Sequence, residues 1–176
     1  MEQHNRKQNR LPEYDYSQEG AYFITICTRE RKRILSQISV GTGVLDCPQI
    51  QLLRHGEIAE KYIRQMDDFY GHLSVDKYAI MPDHIHMIIR LPYGSMWAST
   101  PTNDYVGADA HIRPKYKVAS IVRSIKVLTT KEIGKPIFQR SYYDHVIRNQ
   151  QDYNEIWQYI ENNPKKWSMG GKDGQC

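Results

Sequence analysis

Two histidines, His84 and His86, stand one residue apart in the run Tyr78-Ala79-Ile80-Met81-Pro82-Asp83-His84-Ile85-His86-Met87-Ile88-Ile89-Arg90. Pro82-Asp83 divides two stretches of β-forming residues, so the run reads as two strands with a tight link. Side chains alternate between the faces of a strand. His84 and His86 therefore share one face, and Ile85, Met87 and Ile89 enter a core on the other. Such a pair reads either as polar residues on a wet face or as half of a site for one divalent ion, which would need further ligands from elsewhere in the chain. Towards the C-terminus, Glu155, Tyr159 and Asn163 fall at i, i+4 and i+8, on a helix face apart from the apolar stripe Tyr153, Ile156, Trp157 and Ile160. If that helix crosses the open face of the sheet, Tyr159 and Asn163 meet the histidines. Two imidazoles and an amide oxygen suit Mg²⁺ or Mn²⁺ with positions left for a phosphate. A tyrosine hydroxyl beside them is a candidate nucleophile, and the ion would stabilise charge developing on the phosphoryl oxygens.

The elements that must position these groups follow from periodicity. Residues 21–28 are rich in aromatic and β-branched types and predict a strand. Residues 36–49 predict a loop or small hairpin. Apolar spacing from Ile50 to about Met66 predicts a first amphipathic helix, and residues 73–81 and 84–91 predict antiparallel neighbours. A second amphipathic helix is expected from Lys115 to Thr130, with Val118, Ile121, Val122, Ile125 and Leu128 inward, and a fourth strand from Ile137 to Ile147. The last helix opens near Asn149–Asp152 and is expected to end around Asn162, because the residue before Pro164 is disfavoured in the helical region. The order β-α-β-β-α-β-α predicts an α+β ferredoxin-like sandwich: a four-stranded antiparallel sheet with two helices on one face, plus the C-terminal helix. In that topology the histidine strand is central and its histidines face away from the two-helix side.

A chain of 176 residues is expected to form a single domain, with residues 1–20 an arm, 92–114 a long loop holding Trp97 and His111 as surface residues, and 164–176 a tail. The net charge of +4 gains meaning only where it clusters. Arg29, Arg31, Lys32 and Arg33 form one basic knot; Lys115, Lys117, Arg123 and Lys126 form a one-signed face on the second helix. Each reads as solvated surface or as a phosphate-backbone contact for DNA. Cys27, Cys47 and Cys176 lie far apart without a C-x-x-C, which argues against a disulfide framework or thiolate zinc site and for a reducing compartment. Without a signal-peptide core or a membrane-length apolar run, a cytoplasmic protein with no membrane partner is expected.

His84-Ile85-His86 resembles the HUH motif of single-tyrosine transposases, and Tyr159-x-x-x-Asn163-Pro164 is similar to the REP-associated tyrosine transposase branch of that superfamily. The likeness extends to Tyr14-Asp15-Tyr16-Ser17 with Gly20-Ala21-Tyr22-Phe23-Ile24-Thr25, to Met81-Pro82-Asp83, and to Phe138-Gln139-Arg140-Ser141-Tyr142-Tyr143-Asp144-His145-Val146-Ile147-Arg148. The resemblance implies a metal-dependent strand transferase acting on single-stranded DNA at the foot of hairpins of the REP-repeat kind. It implies Tyr159 as the nucleophile that forms a 5′-phosphotyrosine link and frees a 3′-OH. It also implies His84, His86 and Asn163 as ligands of Mg²⁺ or Mn²⁺, Asn163 standing where insertion-sequence relatives carry glutamine. No adenosine triphosphate is implied. A homodimer, as in insertion-sequence relatives, and a monomer, as in REP-associated ones, both stay open. So do Asn162 as an alternative ligand, and His145 beside Asp144 as a supporting, ligating or structural histidine. From another class comes a non-catalytic binder of DNA or RNA hairpins, which would call for exposed aromatics on the central strands. A replication initiator shares the chemistry but is disfavoured by chain length.

Overall fold

A computed structural model describes residues 14–39, 48–70, 73–91 and 117–170. Most of the N-terminal arm, the loop with Trp97 and His111, Lys115 and the end of the tail lie outside the described residues. Within them the chain forms β1 (Gly20–Cys27), β2 (Ser36–Ser39), β3 (Gln49–Leu52), α1 (Arg54–Arg64), α2 (Met66–Tyr70), β4 (Ser74–Ile80), β5 (His84–Leu91), α3 (Val118–Ile133), β6 (Tyr143–Ile147) and α4 (Gln150–Ser168). The main sheet runs β4-β5-β1-β6 with every neighbour antiparallel. This is the expected ferredoxin-like α+β arrangement, with β1 and β5 central.

Alternation along these two strands divides the interior. Tyr22, Ile24 and Ile26 of β1 and Ile85, Met87 and Ile89 of β5 are fully buried, in one cluster with Ile63 of α1 and Ile121 and Ile125 of α3. Phe23 and Ile88 point the other way, into a smaller cluster with Ile160 of α4, which Tyr153, Ile156 and Trp157 of the same helix flank. The C-terminal helix thus crosses the open face of the sheet, on its expected apolar stripe. Gly56 of α1 shows how closely the first layer is fitted: a Cβ there would sit 2.0 Å from the backbone oxygen of Leu35.

Four expectations are corrected. Residues 50–52 belong to a β2-β3 hairpin rather than to the first helix. Gln49-Ile50-Gln51-Leu52 alternates exposed and half-buried side chains with the period of a strand. The fourth strand is shorter than 137–147: Phe138 makes only an isolated bridge to Thr28, and pairing with β1 begins at Tyr143. Helix α4 continues through Pro164 to Ser168 instead of ending near Asn162. Proline forfeits one backbone bond and crowds the preceding turn. The turn beyond it is held by Met169 N–H donating to Lys165 O at 3.3 Å, by Ser168 Oγ donating to the same oxygen at 2.8 Å, and by the Trp167 ring packing on His84. Finally, Cys27, 2% exposed at the end of β1, is disulfide-bonded, a pairing that the scattered cysteine spacing did not signal.

Candidate active site

The β1-β5 register sets Thr25 opposite His86 and Cys27 opposite His84 on the face that α4 covers. His84 and His86 are 1% and 4% exposed, with ring centres 4.4 Å apart. Each ring is held through Nδ1. That of His84 lies 2.5 Å from Asp83 Oδ1, and that of His86 lies 2.9 Å from Thr25 Oγ1. A carboxylate on Nδ1 fixes the N–H there and leaves the Nε2 lone pair for a ligand, the usual support of a metal-binding imidazole. Asp83 is steadied in turn by Arg31, whose Nη1 donates to Oδ1 at 3.4 Å. Burial above all, helped by the nearby Arg31 guanidinium, holds the His86 imidazole well below its ordinary pKa, so it is neutral at neutral pH.

Helix α4 lays three side chains, one turn apart, along this pair. The Tyr159 ring centre is 5.2 Å from that of His86, with the hydroxyl 3.4 Å from Nε2. The Trp167 ring is 5.8 Å from that of His84. Asn163 lies between them on the same helical row, 0% exposed, and neither atom of its side-chain amide has a hydrogen-bond partner. Burying an amide without a partner costs about 1–3 kcal/mol. Two imidazole nitrogens and an orphaned amide oxygen fit a divalent cation in chemistry and place. Among the described residues no three His, Cys, Asp or Glu side chains are grouped for a metal, so an ion held here would need the amide beside the two imidazoles. Asn162 is exposed and does not enter it.

No family model matches the chain. It is 30% identical over 172 residues to an uncharacterized protein of Haemophilus influenzae, across 94% of this chain and 92% of that one. It is 29% identical over 152 residues to the REP-associated tyrosine transposase of Escherichia coli, across 86% of this chain and 70% of that protein. The chain is a homologue of the REP-associated tyrosine transposases. A solved structure of a REP-associated tyrosine transposase bound to a REP hairpin shares the fold, with a TM-score of 0.59 at 23% identity, across 92% of this chain and 76% of that one.

In this transposase homologue the remaining candidates separate by face. The basic knot after β1 stands beside the histidines: Arg31 reaches Asp83, the Arg33 guanidinium lies 5.2 Å from the Trp167 ring centre, and Lys32 pairs with Glu30 at 2.8 Å. Arg29 anchors the turn, its backbone N–H donating to Ile137 O at 2.8 Å. Glu30 and Arg31 adopt left-handed φ values of 57° and 53°, a costly conformation for side-chain-bearing residues. Helix α3, with exposed Lys117 and Arg123, packs on the opposite side of the sheet. Lys126 donates to the backbone oxygens of Gln139 and Ser141 at 3.0 and 2.7 Å, and burial pulls its amine down to about 8.

His145 Nε2 lies 2.9 Å from Asp152 Oδ2 and so ties β6 to the start of α4. There Asn149 caps the helix, its Oδ1 accepting from Asp152 N at 2.8 Å. Asp144 sits opposite Ile24, on the far face from the histidines. Tyr143 opposes Thr25 on the site face, 37% exposed, with its ring 6.3 Å from that of Phe23. Asp83, Thr25 and Trp167 were missed in the sequence. Asp83 directly precedes the motif and Trp167 continues the Tyr159-Asn163 row, whereas Thr25 is found only through strand register.

Proposed function

We propose that the chain is a metal-dependent DNA transposase that nicks single-stranded DNA at the foot of a hairpin and transfers the strand through a 5′-phosphotyrosine at Tyr159. The observation that carries this reading is the convergence of His84, His86 and the partnerless Asn163 amide under Tyr159, whose hydroxyl lies 3.4 Å from His86 Nε2. His84 and His86 through Nε2, and Asn163 through Oδ1, would hold Mg²⁺ or Mn²⁺, which supplies charge neutralisation on the phosphoryl oxygens when bound. The Tyr159 oxygen attacks phosphorus, the new P–O bond forms as the P–O3′ bond breaks, and the departing oxygen takes a proton to become a 3′-OH. A 3′-OH from another end reverses the step, so no nucleoside triphosphate is consumed. Arg29, Arg31, Lys32 and Arg33 would meet the backbone of the unpaired strand on the histidine side. Lys117, Arg123 and Lys126 would meet only DNA wrapping to the α3 side. The cytoplasm is the compartment that gives such an enzyme DNA, and no helix among the described residues is long and apolar enough to cross a membrane. A passive hairpin binder is disfavoured because the aromatics of the central strands, Tyr22 and Phe23, are buried at 0% and 8% exposure.

The test is incubation with Mn²⁺ and a labelled hairpin carrying single-stranded flanks, followed by denaturing electrophoresis. We expect a covalent protein–DNA adduct that disappears in Tyr159→Phe while hairpin binding persists. An adduct of undiminished yield in Tyr159→Phe would overturn the nucleophile assignment.

A further inference from the structure

We propose that Trp167 and Arg33 form a stacking seat for one unpaired nucleobase beside the phosphate handled at His84 and His86. The proposal rests on the transposase reading for the position of that phosphate, and adds to it a residue that grips the strand.

Three observations converge on the seat. The first is the persistence of α4 past Pro164, although proline inside a helix costs about 3 kcal/mol. What the extra turn presents is Trp167, eight residues beyond Tyr159 on the same helical row and half-buried. The second is its place: the indole is tilted 50° against the His84 ring at 5.8 Å. A planar group stacked on the indole would therefore lie within one residue's reach of the imidazole pair. The third is the lid over it. Arg33 is exposed and sets its guanidinium 5.2 Å from the indole centre. A guanidinium on an indole occupies the kind of surface a base would take, and it is the side chain best suited to pair with phosphate once displaced. Arg33 issues from the turn in which Glu30 and Arg31 are left-handed, so the backbone is bent to deliver this basic knot to the site.

A base sliding onto Trp167 would exchange the cation contact for a stacking contact and release Arg33 towards the adjoining phosphate. Stacking of a base on an aromatic side chain contributes about 1–3 kcal/mol and tolerates any base, which is about a 5- to 150-fold change in affinity. The competing reading is that Trp167 merely packs the end of α4 onto the sheet.

The two readings part in a binding measurement made without cleavage. In a Tyr159→Phe background, the affinity of a fluorescent single-stranded oligonucleotide with a hairpin would be measured for Trp167, Trp167→Phe and Trp167→Leu, with thermal unfolding recorded alongside. Leucine preserves apolar bulk and phenylalanine preserves a ring. We expect Trp167→Leu to weaken binding by about 5- to 150-fold and Trp167→Phe to retain most of the affinity. An abasic scan of the oligonucleotide should reveal one position at which removing the base costs affinity in the parent and nothing further in Trp167→Leu. Equal affinity of all three proteins, or a leucine effect that survives at every abasic position, would overturn the seat and leave Trp167 a packing residue. Because no covalent step is read, failure of the adduct assay would strike the transposase chemistry and not this result.

Discussion

The two faces of the four-stranded sheet are made from the same strands and serve opposite ends. Against α1 and α3, β1 and β5 place aliphatic side chains, Met87 and the Tyr22 ring, with Tyr22, Ile24, Met87 and Ile89 at 0% exposure. Against α4 they place Phe23 and Ile88 together with Thr25, His84 and His86, over which Asn163 is buried without a partner. Strand alternation thus splits one stretch of sequence into a layer that stabilises and a layer that holds polar groups at the expense of stability. The polar groups that β1, β5 and α4 bring together there, Thr25, His84, His86 and Asn163, make the second layer the candidate site.

Substitutions should therefore fail differently on the two faces. On the α4 face, His84→Ala or His86→Ala should reduce covalent adduct formation to background while leaving the thermal transition nearly in place, as read by the adduct gel and calorimetry. Next come the supports: Asp83→Asn and Thr25→Val should each weaken Mn²⁺ binding by about 10- to 100-fold, the scale of an orienting partner's loss, measured by metal titration. On the opposite face, Gly56→Ala forces a methyl group into the Leu35 carbonyl. We expect about 1–3 kcal/mol of lost stability in urea unfolding, with adduct formation per folded molecule unchanged. A polar residue deleted from the site should do the reverse: Asn163→Leu should raise stability by about 1 kcal/mol, since it removes an unsatisfied buried amide, while lowering metal affinity.

The smallest effect concerns the latch of α4 to the sheet edge. Burial of Asp76 opposes its ionisation. Bonds from Arg90, Ser74 and Tyr153 outweigh that, and its carboxyl is held below the ordinary value of 3.8. A depressed carboxylate contributes stability that is present above that ordinary value and lost as pH falls through the folded one. Stability should decline slightly more steeply on acidification below about pH 4 in the parent than in Asp76→Asn, as followed by urea midpoints.

Much of this division was legible in the chain. The His84-Ile85-His86-Met87 alternation announced two faces, and the separate rows of Ile156-Ile160 and Tyr159-Asn163 announced a helix joining core and site. The supports were less legible because Thr25 meets His86 through strand pairing across 61 positions, which no local period encodes. The hairpin strand at Gln49–Leu52 is four residues long and merges with the helical pattern that follows. Pro164 carried a true local preference that tertiary contacts overrode, and Trp167 was hidden behind it.

The central claim is that the polar face is built around one divalent cation. Electron paramagnetic resonance of Mn²⁺ titrated into the protein tests it most directly. We expect a single tightly held ion with couplings to imidazole nitrogen, weakened in Asn163→Leu and abolished when His84 and His86 are both replaced by alanine. Failure of the parent to bind Mn²⁺, or binding of equal strength after both histidines are replaced, would contradict it.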